Sequence, residues 1–220
     1  MTYIIHQTND GSHTLSNGSE TYHSQYGAIQ ESQHVFIESG LMKVSSNGSS
    51  DPIHVLEVGF GTGLNALCTL LAPQHVPILY TAFEPHPIAK SIWEKLNYFE
   101  ECQHSTALFH QLHMTDWNLD VTLSPSFTLH KKNTPFTCNI SGLMPVDVVY
   151  FDPFSPNTAP DLWTEPIFKA LFQLMSKHSV LVTYCAKGIV KTRLRNAGFT
   201  VERLPGPPGK RHMIRAYPNH

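Results

Sequence analysis

A chain of 220 residues with 41% hydrophobic content can build one cored domain with room for a small extension. It contains no apolar run of the roughly eighteen residues a membrane helix needs, and its first residues, MTYIIHQTNDGSHT, lack the basic-then-apolar order of a secretory leader, so a cytoplasmic protein is expected. The net charge of -2 hides an asymmetry: residues 187–220 hold eight of the fifteen Lys and Arg and a single acid, Glu202, which is what an edge that meets a polyanion would look like.

Residues 1–27, rich in Ser, Thr, Asn, Gly and His, predict an extended arm or small hairpin without a core of its own. Residues 28–42 (AIQESQHVFIESGLM) predict a helix ending near Gly40, and the Ser/Asn/Gly cluster at 45–51 a surface loop. Residues 1–50 therefore read as an N-terminal extension and 51–220 as the main domain. Strands are predicted at Ile53–Val58, Ile78–Phe83, Phe127–Lys131, Val146–Phe151, Val180–Tyr184, Phe199–Leu204 and Met213–Tyr217. Helices are predicted at Leu64–Leu71, Ile88–Tyr98, near 100–110, at Asp161–Met175 and at Lys187–Ala197. Strand and helix taking turns predict an α/β fold, a mostly parallel seven-stranded sheet covered on both faces. The last two strands, joined only by PGPPGK, should pair antiparallel.

The most informative segment is VLEVGFGTGLN, Val55–Asn65, an apolar strand running into Gly59, Gly61 and Gly63 and then a helix. Glycines let the backbone turn sharply and let a ligand approach without meeting a Cβ, while the helix N-terminus offers free N–H groups. A dinucleotide fingerprint would need glycine or alanine where Leu64 stands, so an adenosyl compound fits better than a nicotinamide cofactor. Glu84, closing the next strand in YTAFEPH, is placed to accept from both ribose hydroxyls. Glu57, at the carboxyl end of the first strand, could face a methionyl ammonium or a structural water.

Downstream, PVDVVYFDPFSPNTAPDLWTEPIF (145–168) is an apolar strand ending in Asp152, a proline-rich loop and a helix. Strand carboxyl ends line the crevice of an open α/β sheet, so Asp152 should point toward whatever the glycines hold. Pro153 and Pro156 stiffen the loop, and Asp161 is expected to cap a helix that buries Trp163, Ile167 and Leu171. Cys68, Cys102, Cys138 and Cys185 form no Cys-x-x-Cys pair and read as reduced thiols. Among fourteen histidines, His110-x-x-His113 could present two ligands on one helical face, but no third ligand follows at a recognisable spacing, so no metal is expected.

These motifs together resemble the methyltransferase family of MnmC and MnmD, which methylates the aminomethyl group of modified wobble uridine in bacterial tRNA. The resemblance is carried by Asp10-Gly11, TYHSQYGAIQESQHVFIESGL (21–41), EVGFGTGLN (57–65), FDPFSPNTAPDLWT (151–164), TYCAKG (183–188) and GFTVERLPGPPGKRHMIRA (198–216). It implies a Rossmann-like class I fold and S-adenosyl-L-methionine over Glu57, Gly59, Phe60, Gly61, Thr62, Gly63 and Asn65. It also implies Glu84 on the ribose, and Asp152, Pro153 and Phe154 near the methyl group and the acceptor amine. Members commonly carry a Gly-Asp pair that reaches the adenine, where this chain has Asn133-Thr134-Pro135. The bifunctional members add a flavin-dependent oxidase domain for which this chain has no residues, so the stand-alone form is implied, acting on a primary amine. Tyr22 and Ser24 fall in the substrate-proximal block. Lys187 at a helix start, with Lys210 and Arg211 after the stiff PGPPG turn, are candidate phosphate contacts to a tRNA anticodon stem-loop. Three readings compete with this one: another amino-group methyltransferase, since D-P-F-S echoes the D-P-P-Y loop, a binding protein of the same fold without catalysis, and an NAD-dependent oxidoreductase.

Overall fold

The computed structural model describes residues 3–45, 51–73, 75–98 and 106–219. The predicted loop at 45–51, the start of the helical piece near 100–110, and Cys102 lie largely or wholly outside the described residues. The arm is a hairpin, β1 (Ile4–Gln7) paired antiparallel with β2 (His13–Ser16). It leads into α1 (Ala28–Ser32), a π-helical stretch Gln33–Leu41 and a last turn α2 (Met42–Ser45). The predicted stop at Gly40 is not a stop. A Cβ there would sit 3.0 Å from Val182 and 3.3 Å from Tyr150, so Gly40 lets the helix lie close against the sheet. Asp10 Oδ2 accepts from Gln30 N at 3.0 Å, satisfying a first-turn donor of α1 from the hairpin.

The main sheet runs through β3 (Ile53–Val58), β4 (Ile78–Phe83), β5 (Asp120–Ser124), β6 (Phe127–Lys132), β7 (Val146–Phe151), β8 (Met175–Thr183), β9 (Phe199–Pro205) and β10 (His212–Pro218). Its spatial order is β5-β6-β4-β3-β7-β8-β10-β9. The central pairs are parallel and β9–β10 is the expected antiparallel hairpin. β5 adds an antiparallel edge strand to the seven predicted; its sequence, DVTLS, is polar and mostly unburied, so no apolar run announced it. β3, IHVLEV, is buried at every position because helices cover both faces. From β3 the chain builds outward through β4 to β6 and then crosses back to β7 on the other side, which opens a crevice at the carboxyl ends of β3, β4 and β7.

The helices between strands are α3 (Leu64–Leu71), α4 (Lys90–Trp93), α5 (Thr106–Met114), α6 (Glu165–Leu174) and α7 (Gly188–Asn196). The helix predicted over Ile88–Tyr98 shrinks to α4 because Asn97 is taken by the hairpin: its Oδ1 accepts from His13 N (2.8 Å) and its Nδ2 donates to Gly11 O (2.9 Å). Asp161 does not cap α6. It lies in a 3-10 turn, Pro160–Trp163, and Thr164 holds the cap position, although Trp163, Ile167 and Leu171 are buried as expected. Cys68 and Cys185 are buried and Cys138 is exposed. No helix among the described residues is long and apolar enough to cross a membrane.

Candidate active site

A cavity of about 840 Å³ occupies the crevice over the tips of β3, β4 and β7. Its floor is the loop after β3. Gly59 stands at φ +98, and a Cβ on it would lie 2.7 Å from Asp152 O, so this turn passes against the neighbouring strand end only because the residue is glycine. Gly63, at φ +74, starts α3 in the left-handed region. Thr62 is buried and fastens the loop: His23 Nε2 lies 2.7 Å from its Oγ1, Tyr98 donates to the same oxygen (3.3 Å), and His113 Nε2 donates to Thr62 O (3.0 Å). Burial keeps both imidazoles neutral, His23 drawn down to about 4 and His113 to about 3. His113 also stacks on Trp93 at 4.5 Å, and among the described residues no three His, Cys, Asp or Glu converge as a metal site.

The second wall is the loop from Asp152 to Pro156, and its backbone is braced at nearly every peptide. Asp152 N donates to Val58 O (3.0 Å), Tyr184 Oη donates to Pro153 O (2.9 Å), and Trp163 Nε1 donates to Phe154 O (2.7 Å). Glu20 accepts from Ser155 N (3.1 Å), and Ser155 O accepts from Thr158 and Ala159. The side chain of Asp152 is fixed too: Asn65 Nδ2 donates to its Oδ2 (2.8 Å) and to Glu57 Oε1 (3.0 Å), while Ser32 donates to Asn65 Oδ1 (2.7 Å). Burial and the nearby Glu31 and Glu57 charges hold the Asp152 carboxyl well above the usual carboxylate range, opposed by the Asn65 hydrogen bond and by Lys210. Glu57 is fully buried and pushed up to about 8, chiefly by desolvation.

The third wall comes from the arm and the C-terminal turn. Tyr22 packs edge-on against Phe154 (4.9 Å), and its ring would be 3.1 Å from a Cβ on Gly61. Ser24 N donates to Glu31 Oε2 (2.6 Å), and Glu31 Oε1 is ion-paired with Lys210. The Lys210 ammonium also lies 4.2 Å from the centroid of the Tyr184 ring.

Gly59, Phe60, Gly61, Thr62, Glu84, Asp152, Pro153, Phe154, Tyr22, Ser24 and Lys210 thus line one cavity. Glu57, Gly63 and Asn65 do not. Glu57 lies beneath the floor, fully buried, and Asn65 connects it to Asp152. Lys210 turns inward to Glu31 instead of outward to a phosphate, whereas Arg211 is exposed and Lys187 is exposed with its Nζ 3.2 Å from Asn157 Oδ1. Sequence reasoning did not single out Glu20, Glu31, His23, Tyr184 or the wall Phe136–Cys138. Of the stretch 133–135 only Pro135 reaches the cavity, and Phe136 beside it packs edge-on against Phe83 at 5.2 Å. The one available signal for Glu31 and Tyr184 was their place inside the resembling blocks.

An adenosyl cofactor suits these residues. The volume falls within the range of about 300–1,000 Å³ that small-ligand sites occupy. Glu84 accepts from Gly61 N (2.9 Å) and from His86 N (2.8 Å), which fixes its carboxylate at the tip of β4 and leaves lone pairs for ribose hydroxyls.

Comparison with known proteins agrees. A protein-family profile described as S-adenosyl-L-methionine-dependent methyltransferase matches residues 97–219. The tRNA 5-methylaminomethyl-2-thiouridine biosynthesis bifunctional protein MnmC of Methylobacillus flagellatus is 30% identical over 215 residues, covering 89% of this chain and 32% of that protein. The protein of the same name from Pseudoalteromonas atlantica is 31% identical, covering 93% of this chain and 32% of that protein. The chain therefore spans about a third of the length of these curated relatives. Among solved structures, MNMC2 from Aquifex aeolicus superposes with a TM-score of 0.76 at 24% identity, over 98% of this chain and 70% of that one. Spermidine synthase from Thermotoga maritima superposes at 0.60 with 13% identity, over 98% of this chain and 68% of that one, a likeness of fold. With a glycine loop, a ribose-level glutamate and a match over more than half its length, the chain belongs to the S-adenosyl-L-methionine-dependent methyltransferases.

Proposed function

We propose that the chain methylates the primary amine of 5-aminomethyl-(2-thio)uridine at the wobble position of tRNA, in the cytoplasm. The observation that carries this reading is Asp152: a carboxyl of raised proton affinity, held by Asn65 in a braced loop, beside the glycine loop in one cavity. The MnmC relatives are named for biosynthesis of the methylated form of that nucleoside. The backbone of Gly59 to Thr62, with Glu84, would hold S-adenosyl-L-methionine, which supplies an electrophilic methyl group when bound. The chain's own task is the nitrogen. An alkyl amine is mostly protonated at neutral pH and has no free lone pair in that state, so its attack requires a residue that takes one proton. Asp152 accepts it, and a carboxyl whose proton affinity is raised is better matched to that step than an ordinary aspartate. The braced Pro153–Ser155 backbone fixes the direction of approach.

Asp152→Ala should abolish transfer while leaving cofactor affinity within about threefold, since Glu84 and the glycine loop remain. The test of substrate is tRNA from a strain lacking this protein, incubated with enzyme and labelled cofactor and digested to nucleosides. Label in 5-methylaminomethyl-(2-thio)uridine supports the reading, and label elsewhere or none overturns it.

The outer surface supports a polyanionic substrate. Desolvation together with the positive charges of Arg203, Arg211 and Lys191 lowers the proton affinity of His212, so these cations lie near His212, and Lys187 stands at the start of α7, which carries Lys191. We assign this face to the phosphates of the anticodon stem-loop. Arg203→Ala with Arg211→Ala should flatten the salt dependence of tRNA binding by about two phosphates' worth of slope.

A further inference from the structure

We propose that Glu31 and the face of Tyr184 form the subsite that receives the acceptor as an ammonium ion, and that Lys210 is a resident occupant which the incoming amine displaces. The proposal rests on the reading of the acceptor as an alkyl amine.

Lys210 carries the same head group as that acceptor: a primary ammonium on a saturated carbon. Its Nζ is paired with Glu31 Oε1 and lies 4.2 Å from the Tyr184 ring centroid. A carboxylate on one side and an aromatic face on the other favour an ammonium over a neutral hydroxyl or amide of the same size. All three residues line the cavity that contains Asp152, and the charges of Glu31 and Lys210 act on the Asp152 carboxyl in opposite senses. A cation bound at Glu31 is therefore delivered beside the group that takes its proton.

The cradle is built without Lys210. Glu31 is 4% exposed, and its other oxygen is held by Ser24 N at 2.6 Å. Tyr184 is anchored through its hydroxyl to Pro153 O at 2.9 Å. Neither bond involves the lysine. Lys210 itself hangs on a flexible stem from the connection between β9 and β10, whose turn is closed by Lys210 N donating to Pro207 O at 2.9 Å. Its side chain is 31% exposed, so rotation of the stem removes the ammonium without unfolding the turn. An ion pair acting only as a brace has no need to open onto the ligand cavity. An occupied ammonium site does, because ligand has to reach it.

The test uses the full chain saturated with S-adenosylhomocysteine and ethylammonium chloride as the probe, observed by ligand-detected NMR. Lys210→Met, which keeps the stem and removes the charge, should bind ethylammonium about tenfold more tightly than the native chain, because the occupant no longer competes. Adding Glu31→Gln to that variant should return binding to the native level or below. With an anticodon stem-loop bearing 5-aminomethyluridine, Lys210→Met should lower KM and Glu31→Gln raise it by about 10- to 100-fold, the worth of one charge-assisted contact. The acid limb of kcat/KM should move to higher pH in Lys210→Met and to lower pH in Glu31→Gln; Glu57, Asn65, Tyr80 and Tyr184, which also act on Asp152, are unchanged in both. Affinity for S-adenosylhomocysteine monitors folding and should stay within about twofold. If Lys210→Met binds ethylammonium no better than the native chain, or raises KM as Glu31→Gln does, the lysine is a brace and the proposal falls. Ethylammonium binding that responds to both substitutions, with no label transferred to the stem-loop, would keep the subsite and overturn the wobble-uridine reading instead.

Discussion

The floor of the cavity and its mouth are built in different ways. The floor is one continuous stretch, Gly59 to Thr62, set by backbone conformation: positive φ at Gly59 and Gly61, a third positive φ at Gly63 that turns the chain into α3, and a glutamate at the next strand tip bonded to Gly61 N. The mouth is assembled from five separate places in the chain: Glu20 and Tyr22 of the arm, Glu31 of α1, Asp152 to Phe154, Tyr184 after β8, and Lys210 between β9 and β10. Side chains hold it, through Glu20 to Ser155 N, Tyr22 to Phe154, Tyr184 to Pro153 O and Lys210 to Glu31. The difference teaches where tolerance lies. A floor set by sterics fails at once when an atom is added, whereas a mouth set by polar contacts weakens by one interaction at a time.

The largest effect should therefore come from Gly59→Ala. It forces a non-glycine residue to φ +98 and puts a carbon 2.7 Å from Asp152 O, so cofactor affinity measured by calorimetry should drop by about a hundredfold, roughly 3 kcal/mol. Gly18→Ala sharpens the comparison. Its φ is also positive, +91, but nothing lies within 4 Å, so cofactor affinity should be unchanged and only about 1 kcal/mol of stability lost. If both variants lose cofactor equally, sterics at the floor are not the cause.

The mouth should respond more gently. Glu20→Gln gives up a charge-assisted bond to Ser155 N and should raise the acceptor KM by about tenfold with little change in cofactor affinity. Asp152 must be ionised to accept a proton, and burial with the Glu31 and Glu57 charges raises its pKa, so kcat/KM should climb with pH through a value above the ordinary 3.8. Removing the Asn65 bond by Asn65→Ala should move that limb higher still. A limb at the ordinary carboxylate value would show that Asp152 is not the base. The smallest effect belongs to Asp10→Asn, about 1 kcal/mol of stability from a weakened α1 start. Burial tends to raise the Asp10 pKa, but hydrogen bonds from Ser12, Gln30 and Thr8 outweigh it and lower the pKa below 3.8. Its stabilisation is present above 3.8 and lost as pH falls through the folded value, so variant and native stabilities should converge in acid.

What could be read from the residues follows the same division. Leu64–Leu71, Ile53–Val58, Ile78–Phe83 and Val146–Phe151 were expected with the bounds observed, because each is a short apolar run with its punctuation adjacent in the chain. The floor was legible for the same reason: glycine spacing and the following acid are local facts. Asp152 was legible because the end of a strand marks the crevice.

The sequence by itself determined the α/β alternation, the glycine loop, the closing hairpin and the aspartate at the crevice. Only the tertiary structure decided that the helix over 88–98 gives way to a clamp by Asn97, that Glu57 lies under the floor, that Lys210 faces inward, and that Glu31 and Tyr184 meet it. The physical reason is range. Backbone conformation and hydrophobic period act between neighbours in the chain, while the partner of a buried charge is chosen by whichever polar group folding brings within reach, here across 179 residues from Glu31 to Lys210.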